Sequence, residues 1–249
     1  MIAPDVVLLH GFTHTGASWG PVAAALAERY RALAPDLAPR IGTPDIRGHG
    51  SASERVPVTL DAVLGDLEAL APARFVLAGY SMGGRLALHG ALAFPDRVQR
   101  LVLIGASPGI ANGAERQARR AADEALADEI EASAIEDFAR RWAQTPVLAG
   151  QPAAVAAAVH VDRLRNQPAG LARALRGLGT GALPSLWDRL DEVQTPVTLV
   201  VGERDQRFRA IAAEMAPELA SPELIVVPGS GHAVHLEAPG AVARAIAGR

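Results

Sequence analysis

Residues 74–88 read RFVLAGYSMGGRLAL. The run 75–79 is largely apolar and predicts a buried strand. Gly79-Tyr80-Ser81-Met82-Gly83 follows as a G-x-S-x-G pentapeptide, and 85–93 is a helix-forming run. The pentapeptide alone is a weak signal, because a glycine-rich turn can hold an idle serine. Its place between a strand and a helix makes it specific. A serine at a sharp strand-to-helix turn stands clear of the sheet, with a helix N-terminus beneath it. Glycines flank it because a Cβ would collide with the neighbouring elements.

On the N-terminal side, 5–10 (DVVLLH) predicts a short strand that ends in His10-Gly11-Phe12. Trp19, Val22, Ala23 and Leu26 recur at helical spacing, 31–35 reads as a second short strand, and Pro39 and Gly42 mark a loop. Ala34-Pro35-Asp36-Leu37 resembles Thr43-Pro44-Asp45-Ile46, which suggests a small local duplication or insertion. Thr59 is placed to cap a helix with the apolar face Leu60, Val63, Leu64 and Leu67.

On the C-terminal side, 98–105 (VQRLVLIG) is another buried strand. From 111 to about 190 no β-rich run occurs, and charge-laced helical segments stand at 115–131, 135–142, 152–165 and 169–175. Strand signals return at 196–202 (PVTLVVG) and 223–228 (ELIVVP), with helical segments near 210–215 and 241–247. This alternation predicts an α/β fold, a mainly parallel sheet with helices on both faces. Residues 1–110 and 191–249 would make the core and 111–190 a helical lid or cap. An insert after the C-terminal end of a strand lies over the edge where open α/β sheets bind ligands.

The 249 residues, 49% of them hydrophobic, suffice for one large domain or a domain with an insertion. A net charge of −3 gives no electrostatic footprint for nucleic acid. The chain has no cysteine, which excludes disulfides, thiolate metal sites and a cysteine nucleophile, and fits a reducing compartment. No signal peptide is visible and no apolar run approaches the ~20 residues of a membrane span, so a cytoplasmic location is expected. No cluster of carboxylates accompanies the histidines, so neither a catalytic metal nor a cofactor is expected. The expected partner is a small-molecule substrate, with no nucleic acid and no membrane, for a monomer or small homo-oligomer.

A serine hydroxyl is a poor nucleophile or base alone. It needs an imidazole to take its proton, and the imidazole needs a carboxylate to fix its tautomer. On a strand–turn–helix elbow the acid and then the histidine follow the serine in chain order. Asp205 lies just past the PVTLVV strand and His232 just past the ELIVVP strand, so all three can converge on one sheet edge. Glu203 and His235 are the rivals, and the loop positions favour Asp205 and His232. His10 and His49 read as structural or pocket-lining, and His14, His89 and His160 as surface or packing residues. The backbone N–H groups of Met82 and Phe12 are placed to stabilise an anion.

With these residues in place, the chain resembles the α/β-hydrolase superfamily along its whole length. More closely it is similar to the 2-succinyl-6-hydroxy-2,4-cyclohexadiene-1-carboxylate synthases of menaquinone biosynthesis. The strings that carry the narrower likeness are LLHGFTHTGASW (8–19), AGYSMGGRLAL (78–88), GASPGI (105–110), RLRNQPAGLARALRGLGTGALPSLW (163–187), GERDQRFRAIAAEMA (202–216) and GHAVHLE (231–237). The resemblance implies a lyase in which Ser81, deprotonated through His232 and Asp205, removes a substrate proton and pyruvate leaves in a 2,5-elimination. It implies carboxylate binding by Arg85, Arg119 and Arg165, an aromatic pocket residue in Trp142, and Tyr80 lining the pocket beside Ser81. Arg116, Arg120 and Arg163 read instead as a solvated helix face. One departure is extra length at 37–45, with Arg47 before Gly48-His49-Gly50, at the pocket edge. Two other readings share the triad or the fold: a serine carboxylesterase of small esters, and a non-catalytic ligand-binding protein.

Overall fold

In the computed structural model the structure describes residues 5–33 and 40–248. Six strands form one sheet: β1 Asp5–Leu9, β2 Ile41–Gly42, β3 Phe75–Tyr80, β4 Val98–Ile104, β5 Val197–Gly202 and β6 Pro222–Val227. All are parallel, in the order β2-β1-β3-β4-β5-β6. Parallel strands need long crossovers, and helices supply them on both faces. In β3 every residue is buried. Phe75 and Leu77 enter one core layer with Leu101, Leu103, Leu199 and helices α2 (Leu60–Leu70) and α3 (Met82–Ala93). Val76, Ala78 and Tyr80 enter the other, with Trp19 and with Val22 and Leu26 of α1 (Gly20–Leu33). The period-2 alternation of a strand thus serves two hydrophobic layers, which is why 75–80 has no polar face.

Thr59 caps α2 as its position predicts, accepting from the Ala62 N–H through its hydroxyl. Four helices stand between β4 and β5: α4 Gly113–Glu131, α5 Ile135–Trp142, α6 Ala153–Arg163 and α7 Pro168–Leu178. Helices α4, α5 and α7 share a small core of Ala127, Ile130, Phe138, Leu171, Ala172 and Leu175. The insert reaches the main domain backbone to backbone. A Cβ on Gly177 would lie 1.8 Å from the Val58 carbonyl oxygen. Helices α8 (Gln206–Met215), α9 (Val234–Glu237) and α10 (Pro239–Ala247) complete the described chain.

One expectation fails near the N-terminus. Residues 31–33 of the expected 31–35 strand continue α1, and 34–35 lie outside the described residues. Arg, Ala and Leu are good helix formers, and nothing in 31–33 stops the helix. The strand beside β1 is instead the two-residue β2, with Val6 opposite Ile41 and Val7 opposite Gly42. Gly42 therefore belongs to a strand rather than a loop.

Candidate active site

Ser81 follows β3 directly and precedes α3, with φ 52° and ψ −111°. A positive φ is rare outside glycine and is held here by close neighbours. A Cβ on Gly79 would lie 2.2 Å from the Gly83 carbonyl oxygen, and one on Gly83 would lie 2.1 Å from that of Leu9. Only glycines let the first turn of α3 fold back so tightly over the ends of β3 and β1. The Ser81 N–H is tied to the Ile104 carbonyl at 2.9 Å, which leaves the side chain to face the strand-end edge.

His232 sits on the loop after β6. Its Nε2 is 3.2 Å from Ser81 Oγ and its Nδ1 is 2.6 Å from Asp205 Oδ2. Asp205 caps α8 by accepting from the Phe208 N–H. A carboxylate on Nδ1 fixes that nitrogen as the proton donor, so Nε2 accepts the serine proton. Phe208 and Tyr80 pack on the imidazole with ring centroids at 4.5 and 5.2 Å. Gly105, at φ 52°, lies beneath the ring, where a Cβ would be 3.0 Å from it.

Both rivals have other work. The Glu203 carboxylate accepts from the Gly229 N–H at 2.8 Å and so ties the acid loop to the histidine loop. Glu237, almost fully buried, accepts from Gly231 N–H and from Arg204 at 2.8 and 3.0 Å, in the same stitching. His235 is buried 4.1 Å from the Tyr80 ring, and burial pulls its pKa down to about 3. His10 donates from Nδ1 to the Gly11 carbonyl and accepts the Ile46 N–H on Nε2, both at 2.9 Å, which defines a neutral tautomer. Burial takes its pKa down to about 4 and that of neighbouring His49 to about 3. Burial also raises the Tyr80 phenol well above its ordinary value.

The two backbone groups expected to stabilise an anion are both without an acceptor among the described residues. Met82 opens α3, so its N–H has no intrahelical acceptor. Among the described residues, the Phe12 N–H has no hydrogen-bond partner. Gly11 abuts Tyr80 so closely that a Cβ would sit 2.7 Å from the ring. The Phe12 ring meets Trp142 of α5 edge-on, with centroids 5.3 Å apart.

The arginines divide. Arg85 is buried under the C-terminal end of α7, donating to Thr180 Oγ1 at 2.5 Å and to the Leu178 carbonyl at 3.4 Å. Its Nε has no partner among the described residues, and burial lowers its pKa to about 10. Arg119 is half-buried and paired with Asp123 at 2.7 Å. The Arg165 side chain is 60% exposed, 3.8 Å from Asp162. Arg163, which the sequence assigns to a solvated face, is 2% exposed. Its Nε donates to Thr13 Oγ1 at 3.2 Å, its Nη2 is buried without a partner among the described residues, and burial lowers its pKa to about 10. A signal was present: Val159, Asp162, Arg163 and Asn166 follow the i, i+3, i+4, i+7 stripe of a buried helix face, and all four are buried. Polar residues on that stripe disguised it. Among the described residues no group of three or more His, Asp or Glu is placed to hold a metal ion, and no helix is long and apolar enough to cross a membrane.

The sequence pattern of the Alpha/beta hydrolase family matches residues 6–245. A Bacillus subtilis (strain 168) relative, provisionally named 2-succinyl-6-hydroxy-2,4-cyclohexadiene-1-carboxylate synthase, is 38% identical over 94% of this chain and 85% of its own length. A relative from Enterobacter sp. (strain 638) bearing that name is 32% identical over 98% of this chain and 90% of its own. The solved structure of MenH from S. aureus superposes with a TM-score of 0.87 at 29% identity, covering 100% of this chain and 93% of that one. With its serine elbow, parallel sheet and helical insert, this chain belongs to the alpha/beta hydrolase family, beside the 2-succinyl-6-hydroxy-2,4-cyclohexadiene-1-carboxylate synthases.

Proposed function

We propose that the protein is a lyase that eliminates pyruvate from a carboxylate-rich cyclohexene precursor to give 2-succinyl-6-hydroxy-2,4-cyclohexadiene-1-carboxylate. The observation that carries the chemistry is the unbroken relay from Ser81 Oγ through His232 to Asp205, at 3.2 and 2.6 Å. Ser81 gives its proton to His232 Nε2, and the serine oxygen takes the acidic proton of the substrate. The electron pair moves through the conjugated ring and expels the three-carbon group, whose protonation from the imidazolium yields pyruvate and returns the relay to its starting state. Asp205 stays ionised and stabilises the imidazolium. The N–H groups of Phe12 and Met82 face the negative charge that develops during proton removal.

A substrate with several carboxylates needs fixed cations in a dry site. Arg85, Arg119 and Arg163 supply them, and the unpaired Nη2 of Arg163 is a buried donor awaiting an acceptor. A catalyst for neutral esters has no use for such donors, so they favour the lyase over a carboxylesterase. Residues 111–190 act as the lid that carries Arg119, Trp142 and Arg163 over the serine. The test supplies the enzymatically generated precursor and follows pyruvate, beside a short-chain nitrophenyl ester. Pyruvate release that disappears in Ser81→Ala is the expected result. Fast ester turnover without pyruvate would leave the esterase.

A further inference from the structure

The loop that carries Phe12 holds an unusual residue. The Gly11 carbonyl accepts from the His14 N–H at 3.2 Å, which closes a four-residue turn with Phe12 and Thr13 at its centre. Thr13 has φ 68°. A positive φ at the third position of a turn is the place where glycine is usual, and a β-branched residue is a poor fit there. Such a conformation persists only when its surroundings impose it.

The imposing groups come from one segment of the helical insert. Asn166 is 3% exposed, and its Nδ2 donates to the Thr13 carbonyl at 2.9 Å and to the Arg163 carbonyl at 3.1 Å. Its Oδ1 accepts from the Gly50 N–H at 3.0 Å. Arg163 Nε donates to the Thr13 hydroxyl, and the Asp162 carboxylate accepts from the Thr15 N–H at 2.9 Å and from its hydroxyl at 2.5 Å. One side chain thus joins the turn after β1, the loop before α2 and the end of α6. Glycine would relax the turn at position 13 but would remove the hydroxyl that Arg163 uses.

We infer that Asn166 is a positioning residue: from the insert it clamps the 11–14 turn so that the Phe12 N–H is aimed at the anion forming beside Ser81. The inference rests on the Ser81 relay and Phe12 donor proposed above. Insert and oxyanion site then form one unit, and shifting the insert would misaim a donor on a different part of the chain. Donor placement matters more in the transition state than in the ground state, so loss of the clamp lowers the maximal rate rather than the apparent affinity.

The test uses a small neutral fluorophosphonate, which phosphonylates an activated serine and has no carboxylate for Arg163 to bind. The serine oxygen attacks phosphorus, fluoride leaves, and the serine proton passes to His232; intact mass follows the adduct. Labelling of the wild type and not of Ser81→Ala is expected. Asn166→Ala, with a native circular-dichroism spectrum, should label at least tenfold more slowly at saturation with an unchanged half-saturation concentration. Labelling of that variant at the wild-type rate overturns the inference while leaving the serine assignment intact. A wild type that does not label overturns the relay itself and the inference with it. If Asn166→Ala does not fold, Asn166→Asp decides, because it keeps an acceptor for the Gly50 N–H and loses the donor to the Thr13 carbonyl: slower labelling at an unchanged half-saturation concentration supports the clamp, and an unchanged rate rejects it.

Discussion

Arg163 and Arg165 lie two residues apart and end in opposite environments, which makes them a matched pair for asking what a buried cation does. Losing a charged hydrogen bond costs about 1.5–3 kcal/mol. Arg163→Ala should therefore lower kcat/KM for the carboxylate-rich substrate by roughly 10- to 150-fold. Arg165→Ala, at a side chain 60% exposed, should stay within about twofold. Steady-state pyruvate release measures both, and equal losses would show that exposure does not separate the two roles. The contrast also marks what the sequence could reveal. Ser81, Asp205 and His232 were legible because each stands at a strand end in the order the chemistry demands. Arg163 was not, because composition reads an arginine on a helix as solvated unless the stripe it shares with Val159, Asp162 and Asn166 is recognised as buried.

The helices of the insert were legible from their periodicity, but their seating on the core was not. That seating depends on small residues whose meaning appears only in three dimensions. Inside a helix, alanine in place of glycine ordinarily stabilises by up to about 1 kcal/mol. At Gly177 the new Cβ would lie 1.8 Å from a backbone oxygen of Val58, and backbone yields little. Gly177→Ala should thus reverse the usual sign and destabilise by about 1–3 kcal/mol, seen as a lowered Tm. A raised Tm would mean that α7 can lift from the loop before α2 without loss. The short β2 escaped notice for a related reason: two residues are too few for any periodicity, and only pairing with β1 makes them a strand.

Across the whole molecule, five histidines are buried as neutral rings. Burial holds His10 and His89 at about 4, His49 and His235 at about 3, and His14 well below the ordinary 6.5. In the unfolded chain these rings titrate near 6.5. Between that pH and about 4 the unfolded state binds more protons, so stability rises with pH and falls as the solution is acidified. Each ring contributes a slope of up to about 1.4 kcal/mol per pH unit. Tm should accordingly be level above pH 7 and drop steeply from pH 6 to 5. A flat profile over that interval would show that the rings are solvated in the native state. Another consequence comes from the sheet order. The helical excursion departs after β4 and rejoins at β5, and those strands are direct neighbours. Its two ends are therefore fixed, one at the C-terminal edge of β4 and one at the N-terminal edge of β5, and like the exchangeable top of a vessel the excursion can be lengthened, shortened or replaced without breaking a single strand pairing. Evolution could retool what enters such a vessel while leaving its floor untouched.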